Sequence, residues 1–287
     1  MSIENLSGDG EAGVLYLVAT PIGNLDDISR RGIDVLKSVD HIAAEDTRHS
    51  GKLLSHLGIQ TRLLACHEHN EDRLAPKLIE QLQQGQSIAL ISDAGTPLVS
   101  DPGYRLVEQA HSHDLKVVPV PGACAAIAAL SAAGLATDRF SFEGFPPAKS
   151  GARLRFFEAL SVESRTMVFY VSCHKIIETL SDMVQVLGSE RRVTFARELT
   201  KTFETIKRST LLELLAFVEA DEYQRKGEIV LVLEGVQVQE DGTEQILSYL
   251  KILLDELPVK QAVKLVVKMT GANKNEVYKL ALSLKDS

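Results

Sequence analysis

The chain has 287 residues, of which 45% are hydrophobic and 24% are charged, and this length suits two domains with an appendage. These values are typical of a globular protein and exclude a collagen, a coiled coil or a disordered chain as a description of the whole. The net charge of -8 argues against a protein that coats nucleic acid without specificity.

The chain begins with a polar, acidic stretch, residues 1–13, which we predict to be a flexible tail without the features of a signal peptide. A G-x-G-x-x-G string lies in it at Gly8, Gly10 and Gly13. A dinucleotide-binding fingerprint must follow a strand and open a helix, whereas this string precedes the first predicted strand. We therefore do not interpret it as a nucleotide site.

In the first half, short apolar runs alternate with longer amphipathic stretches. The runs predict strands at residues 14–19, 41–44, 62–65, 87–92 and 116–120. The stretches between them predict helices at residues 27–37, 47–57, 71–84, 103–112 and 123–133. This alternation predicts βαβ units and a mainly parallel sheet that helices cover on both faces.

The second half has a different order of elements. Strands are predicted at residues 140–143, 166–171, 193–198, 203–207 and 228–234, and helices at 152–160, 175–187 and 211–220. The connector at 199–202 is short enough for a hairpin, so we expect a mixed α/β domain. The last part predicts three helices at 244–257, 259–270 and 274–284, with a glycine turn that suits a helix-turn-helix unit.

These patterns predict two α/β domains, at residues 14–122 and 123–238, and a C-terminal helical unit at 239–287. Residues 258–287 hold six lysines against two acidic residues, a net +4, while the rest of the chain sums to -12. Such asymmetry can mark a local contact with nucleic acid. The predicted contact residues are Lys260, Lys264, Lys268, Lys274 and Lys279. The simpler alternative is a solvated helix face.

Ionisable residues gather where the second predicted strand meets its helix. Glu45, Asp46, Arg48 and His49 fall within five positions there, and the carboxyl ends of parallel strands are where ligands bind. The alternative is that Asp46 or Thr47 only caps the helix and leaves Arg48 and His49 exposed.

The loop after the fourth strand is the strongest local signal. Its glycine and small residues allow a ligand to approach the backbone, and its carboxylates can accept hydrogen bonds from ribose hydroxyls. The alternative, a long turn in which Asp101 caps the next helix, leaves the stretch from Ser92 to Thr96 unexplained. In the second domain Glu198 and Lys201 place charge at a strand end, either in a site or on a solvated sheet edge.

Three cysteines, Cys66, Cys124 and Cys173, are an odd number without metal-ligand spacing. This usage indicates reduced thiols in the cytoplasm and no metal site. No apolar run approaches the ~20 residues of a membrane span, so we expect no membrane partner.

Seven motifs occur in a fixed order: VATPIGNLDDIS, AAEDTRHS, ISDAGTPLVSDPGY, PVPGACAAIAAL, GFPPAK, FARELTKTFE and KGEIVLVLEG. Together they closely resemble the bacterial 16S rRNA cytidine 2'-O-ribose methyltransferases, which belong to the tetrapyrrole-methylase-like superfamily. The resemblance implies two α/β domains with S-adenosylmethionine bound in the cleft between them, usually in a homodimer. It implies as substrate cytidine 1402 of the decoding centre, in 16S rRNA within the small ribosomal subunit.

The resemblance also implies a set of methyl-donor contacts. They are Pro21, Ser92, Asp93, Ala94, Gly95, Thr96, Pro97, Val99, Cys124, Ala125, Val171 and Leu199. Where the superfamily often has Gly-Asp-Pro, this chain has Gly95–Thr96–Pro97, so we assign the contact with the donor ribose to Asp93.

Methyl transfer to a ribose hydroxyl requires positioning of the acceptor oxygen and help with its deprotonation. Candidates for that help are Glu45, Asp46, His49, Glu198 and Lys201, and Arg48 could hold a phosphate. Two other functions remain open, a methylase of small tetrapyrroles and a non-catalytic helix-turn-helix regulator. The basic C-terminal helices favour an RNA substrate over a tetrapyrrole. The charged cluster at residues 45–49 argues against a non-catalytic regulator.

Overall fold

The computed structural model describes residues 12–67, 70–236 and 242–285. Most of the predicted tail, including Gly8 and Gly10, lies outside the described residues. The chain divides into a larger unit that ends at Gly235 and a C-terminal unit that starts at Val236. Among the helices of the described residues, none is long and apolar enough to cross a bilayer.

The first sheet of the larger unit is entirely parallel, as predicted. Its strands are β1 (Val14–Val18), β2 (His41–Ala44), β3 (Arg62–Ala65), β4 (Ile88–Ile91) and β5 (Lys116–Val120). They lie in the order β3-β2-β4-β1-β5. Strands β1 and β4 are therefore central neighbours, and the loops that follow them leave the same edge of the sheet.

Helices cover both faces of this sheet. They are α1 (Arg30–Ser38), α2 (Thr47–His56), α3 (Glu71–Gln83) and α4 (Tyr104–Ser112), whereas the next helix, α5 (Ala125–Ala132), packs against the second sheet. Alternate residues of β4 pack to opposite sides, Leu90 against α3 and α4, and Ile91 against α1 and α2. Every residue of β4 is buried, which explains its continuous apolar sequence.

The second sheet is mixed, also as predicted. Its strands are β6 (Phe140–Gly144), β7 (Thr166–Ser172), β8 (Arg192–Arg197), β9 (Thr205–Thr210) and β10 (Glu228–Leu233). They lie in the order β6-β7-β10-β8-β9, with β6 and β7 parallel and the other pairs antiparallel. The last strand among the described residues, β10, therefore lies at the centre of the sheet.

The two faces of the second sheet have different partners. Helices α6 (Ser150–Ala159), α7 (Ile176–Leu187) and α8 (Leu211–Ala220) cover one face around Phe157, Phe169 and Phe195. Helix α5 covers the other face together with Ile22, which comes from the loop after β1. This packing joins the two sheets within one unit.

Some boundaries differ from the sequence predictions. Helix α1 begins at Arg30 instead of residue 27, because the Ser29 side chain accepts the N–H of Gly32 and caps the helix there. The hairpin of β8 and β9 has a longer connector than predicted, because the Arg197 guanidinium binds the carbonyl oxygen of Phe203 at 3.0 Å and keeps Phe203 out of the strand.

The alternative interpretation of the β4 loop, in which Asp101 caps α4, is wrong. The helix begins after Gly103, and the N–H groups of its second and third residues, Arg105 and Leu106, donate to Oε1 of Glu71 at 2.8 and 3.2 Å. Glu71 is buried at the start of α3 and supplies the acceptor that this alternative gave to Asp101.

The C-terminal unit contains three helices, α9 (Gly242–Glu256), α10 (Val259–Thr270) and α11 (Lys274–Lys285), as predicted. Its core includes Leu250, Val263, Val266 and Val277. Gly271 ends α10 with a φ of 70°, the left-handed conformation that favours glycine at this position.

Candidate active site

The loops after β1 and β4 are bonded to each other at the carboxyl edge of the first sheet. The N–H of Thr20 donates to the carbonyl of Gly95 at 2.8 Å, and the N–H of Gly95 donates back at 3.1 Å. The Thr20 hydroxyl also donates to the carbonyl of Ser92 at 3.1 Å. These bonds fix the start of the β4 loop against the first turn.

The β4 loop has an unusual backbone. Gly95 and Gly103 have positive φ, and so do the non-glycine residues Leu98 (71°) and Ser100 (69°). A side chain at Gly95 would also be strained at its φ of 87°. The Thr96 hydroxyl donates to the carbonyl of Ala123 at 3.0 Å and ties the loop to the entry of α5. Strained residues of this kind cluster at ligand sites.

A cavity of about 510 Å³ opens over these loops and reaches the ends of β7 and β10. This volume suits a ligand the size of a cofactor. The lining comprises Ile22, Glu45, Asp93, Ala94, Gly95, Thr96, Val99, Ser100, Asp101, Cys124, Ala125, Phe145, Tyr170, Val171, Ser172, Cys173, Gly227, Glu228, Ile229 and Val230. The lining therefore combines loops of the first sheet with strand ends of the second.

The charged lining residues are all acidic: Glu45, Asp93, Asp101 and Glu228. Burial raises the pKa of Glu45, and the neighbouring Asp101 and Asp93 raise it further. Burial likewise raises the pKa of Asp101. A cavity of this charge favours a cationic ligand and disfavours a phosphate-bearing cofactor.

Eight of the twelve predicted donor contacts lie in the cavity wall: Asp93, Ala94, Gly95, Thr96, Val99, Cys124, Ala125 and Val171. The other four, Pro21, Ser92, Pro97 and Leu199, are buried outside this lining. Leu199 packs in the core between α5 and the second sheet, and Ser92 accepts a bond from Thr20 behind the cavity. These four support the wall instead of forming it.

The charged cluster after β2 is divided. Glu45 faces the cavity, whereas Asp46 caps α2 by accepting the N–H of Arg48 at 2.8 Å. The Arg48 guanidinium also binds the Asp46 carboxylate, which holds the pKa of Asp46 well below its usual range. The Arg48 side chain is 89% exposed, and His49 is exposed beside it. Arg48 and His49 are thus directed outward from the cavity wall.

Glu198 and Lys201 form a charged network with Glu228. Lys201 Nζ lies 2.8 Å from Glu198 and 2.9 Å from Glu228, and the Glu228 N–H donates to Glu198 at 2.9 Å. Burial opposes the charge of Glu198, but these bonds outweigh it and lower its pKa. Burial likewise opposes the charge of Lys201, whose pKa the two carboxylates raise. Both groups therefore stay charged and bonded to each other.

Two glycines make room for this network. A side chain at Gly23, in the loop after β1, would lie 2.5 Å from the Lys201 stem, and one at Gly227 would lie 2.3 Å from the Glu198 carboxylate. Lys201 thus packs against the first-sheet loop while it binds Glu228 at the cavity wall.

Several lining residues were not predicted from the sequence: Tyr170, Phe145 and Glu228 at the second sheet, and Asp101 in the β4 loop, for which only a capping role was considered. Tyr170 accepts the N–H of Ala126 at 3.2 Å, and burial raises the pKa of its hydroxyl to about 12. An aromatic residue in an apolar strand resembles a core residue, so nothing in its own sequence marked it. Phe145 and Glu228 do lie in the quoted motifs GFPPAK and KGEIVLVLEG, which was the available signal.

Comparison with known proteins is consistent with this architecture. The family model of the Tetrapyrrole (Corrin/Porphyrin) Methylases matches residues 14–215, and a model described as the RsmI C-terminal HTH domain matches residues 240–285. The structure of uroporphyrin-III-C-methyltransferase from Thermus thermophilus has a TM-score of 0.55 at 18% identity, covering 77% of this chain and 94% of that one. A diphthine synthase structure has a TM-score of 0.58 at 14% identity, covering 77% and 90%.

Sequence similarity extends over almost the whole chain. Ribosomal RNA small subunit methyltransferase I of Escherichia coli O157:H7 is 53% identical over 280 residues, which are 97% of this chain and 98% of that protein. The protein of the same name from Pseudomonas aeruginosa is 54% identical over 275 residues, covering 94% and 97%. The chain therefore belongs to the tetrapyrrole methylase family and, within it, to the proteins named ribosomal RNA small subunit methyltransferase I.

Proposed function

We propose that the protein transfers a methyl group from S-adenosylmethionine to the ribose 2'-hydroxyl of a cytidine in the 16S rRNA of the small ribosomal subunit. The observation that carries this proposal is the acidic cavity at the carboxyl edge of a parallel sheet, in a chain that resembles small-subunit rRNA methyltransferases over nearly its full length. The finer points, the cytidine and its 2'-oxygen, rest on the motif resemblance.

The cavity residues fit S-adenosylmethionine. When bound, this cofactor supplies an electrophilic methyl group on a positively charged sulfur. The carboxylates of Asp93 and Glu45 complement a cation, and Gly95, Ala94 and Ala125 leave room for a ligand beside the backbone. Asp93 would accept hydrogen bonds from the donor ribose.

The same cavity contains two groups suited to take up the proton of the acceptor hydroxyl. A ribose hydroxyl is a weak acid, and a base works best when its own pKa is raised toward the working pH. Glu45 and Asp101 both have raised pKa values and both face the cavity. We assign the proton acceptor to this pair, whereas Glu198 and Lys201, which neutralise each other, hold Glu228 in place.

The C-terminal unit would supply the contact with RNA. Lys260, Lys264 and Lys268 are exposed on α10, while Ala262 and Val266 are buried on its other side. Lys274 and Lys279 are exposed on α11. A local cluster of positive charge on an otherwise acidic chain suits contacts with RNA phosphates.

We further propose that the protein acts as a homodimer in the bacterial cytoplasm, where small ribosomal subunits are assembled. The dimer rests on the resemblance. Two exposed aromatic residues, Phe203 in a loop and Tyr223 in a 3-10 turn, lie in segments that Arg197 joins by donating to the Phe203 carbonyl and to the Gln224 side chain. Light scattering coupled to size exclusion would measure the oligomeric state.

The proposed function is tested with S-adenosylmethionine labelled in its methyl group. The full chain is incubated separately with small subunits that lack the modification, with free 16S rRNA and with a tetrapyrrole, and labelled nucleosides are identified by mass spectrometry. We expect labelled 2'-O-methylcytidine from one of the two RNA substrates. Label in the tetrapyrrole or on a base, or no transfer despite donor binding, would reject the proposal.

A further inference from the structure

Phe145 is an exposed aromatic residue on the cavity wall. Its surface is 60% exposed, although it lines the cavity. Single exposed apolar residues are common on protein surfaces, so exposure alone assigns no role. The surrounding structure, however, fixes the position and the orientation of the Phe145 ring.

The backbone before Phe145 is irregular in a way that redirects the chain. The pairing of β6 with β7 shifts register between Phe142 and Gly144, and Gly144 has a φ of 65°. Bulges of this kind re-aim side chains and occur next to active sites. The strand therefore ends by turning Phe145 toward the cavity.

A buried arginine holds the segment that follows Phe145. Arg153, whose side chain is only 1% exposed, donates to the carbonyls of Pro147 and Ala148 at 3.4 and 3.2 Å. Its Nε binds Asp182 of α7 at 2.7 Å. A buried guanidinium anchored on a neighbouring helix thus holds the loop that carries the exposed ring.

One edge of the ring has a rigid support. Phe145 meets Tyr170 at a centroid distance of 5.6 Å and an interplanar angle of 65°. Tyr170 is itself held by Phe142 at 4.9 Å and by the N–H of Ala126. The ring of Phe145 is therefore supported at one side and exposed over most of its surface.

We propose that Phe145 is a stacking platform for the unpaired base of the acceptor nucleotide, an inference that rests on the proposed function. Sequence-specific RNA recognition uses unstacked bases that pack on aromatic side chains. An acceptor base stacked at the cavity wall would bring its ribose near Glu45 and Asp101. The acidic cavity repels the phosphate backbone, so an aromatic contact is the suitable way to hold a nucleotide there.

The test compares Phe145→Ala and Phe145→Tyr with a matched control, Phe140→Leu. Phe140 is the first residue of β6, the strand that ends just before Phe145; it is 40% exposed and lies at the end of the strand opposite to the cavity. We expect Phe145→Ala to lower kcat/KM for the RNA substrate by about 5- to 150-fold, the range for loss of one stacked base. Phe145→Tyr keeps an aromatic ring and should therefore retain most of the activity of the unmodified protein. Donor affinity, measured by calorimetry, should be unchanged in all three variants.

Other outcomes would overturn the inference. Unchanged kcat/KM in Phe145→Ala would show that no base stacks there, and weakened donor binding would place the ring in the donor site. A changed oligomeric state would instead make Phe145 an interface residue. If the unmodified protein binds donor but methylates neither RNA substrate, the proposed function itself fails, which separates that failure from this one.

Discussion

The Asp93 carboxylate accepts the backbone N–H of Asp46 at 3.1 Å and joins the loops that follow β4 and β2. Asp93 therefore has a structural contact in addition to its predicted contact with the donor ribose. Its two oxygens allow both, because a carboxylate accepts several hydrogen bonds.

Substitution of Asp93 separates these two roles. Asp93→Ala removes both contacts, and we expect donor affinity in calorimetry to fall by about tenfold or more, the range for a lost charge-assisted bond. Asp93→Asn keeps an acceptor for Asp46, so its thermal midpoint should stay near that of the unmodified protein while donor affinity falls less. Equal donor affinity in all three proteins would place the ribose contact elsewhere.

Glu45→Gln should make the protein more stable and less active. The folded state raises the pKa of Glu45 above its ordinary value of 4.5, so it favours the protonated carboxyl. Protonated Glu45 therefore contributes to the stability of the folded state. This contribution is fully present below about pH 4 and is lost as the pH rises through the raised pKa. We therefore expect the variant to have the higher Tm at about pH 8, with the difference closing toward about pH 4.

Methyl transfer should fall in the same variant, by about 100-fold or more if Glu45 takes the acceptor proton. Glu108→Gln, an exposed change on α4, is the control for both measurements. An unchanged turnover in Glu45→Gln would assign the proton to Asp101 instead. A Tm difference that does not vary with pH would contradict the electrostatic explanation.

Arg48→Ala should affect the acceptor and spare the donor. The guanidinium is exposed and bonded only to Asp46 among the described residues, so it is available to a phosphate. We expect a several-fold higher KM for RNA with donor affinity unchanged, and Lys52→Ala, an exposed change on the same helix, serves as control. A loss of donor binding in Arg48→Ala would refute this assignment.

A triple change of Lys260, Lys264 and Lys268 to Ala should flatten the salt dependence of RNA binding. Each lost phosphate contact reduces the slope of log affinity against log salt by about 0.7 to 0.9. A triple change of the exposed Lys37, Lys77 and Lys116 alters the net charge equally and is the matched control. If both triple variants lose the same slope, the effect is one of total charge and the C-terminal helices make no special contact.

The sequence predicted the elements well because their apolar periodicity is local. It predicted the five strands of the first sheet within one residue at each end, and α10 at its observed bounds. It could not predict that Glu71 caps α4, since the two are 34 residues apart and meet only through the packing of α3. The role of Asp101 was missed for the same reason, because its place on the cavity wall depends on a loop shaped by left-handed residues.

Tyr170 and Phe145 were missed for a different reason. An aromatic residue has the same hydropathy in a core and on a cavity wall, so the sequence pattern does not distinguish these two locations. For Phe145 the distinguishing feature is the bulge before it, which is seen only in the structure. The division of residues 45–49 into inward and outward side chains likewise depends on where α2 begins, and Asp46 fixes that point as its cap.

The central position of β10 determines when the cavity can form during synthesis. Residues 227–230, at the start of β10, form part of the cavity wall. In the sheet β10 lies between β7 and β8, and the ribosome synthesises both of these strands before it. A nascent chain that ends before β10 has an open gap in the second sheet and an incomplete cavity, so a donor that binds in this cavity would not stabilise it. Binding of the donor at the proposed site would therefore report that the larger unit has been completed through β10.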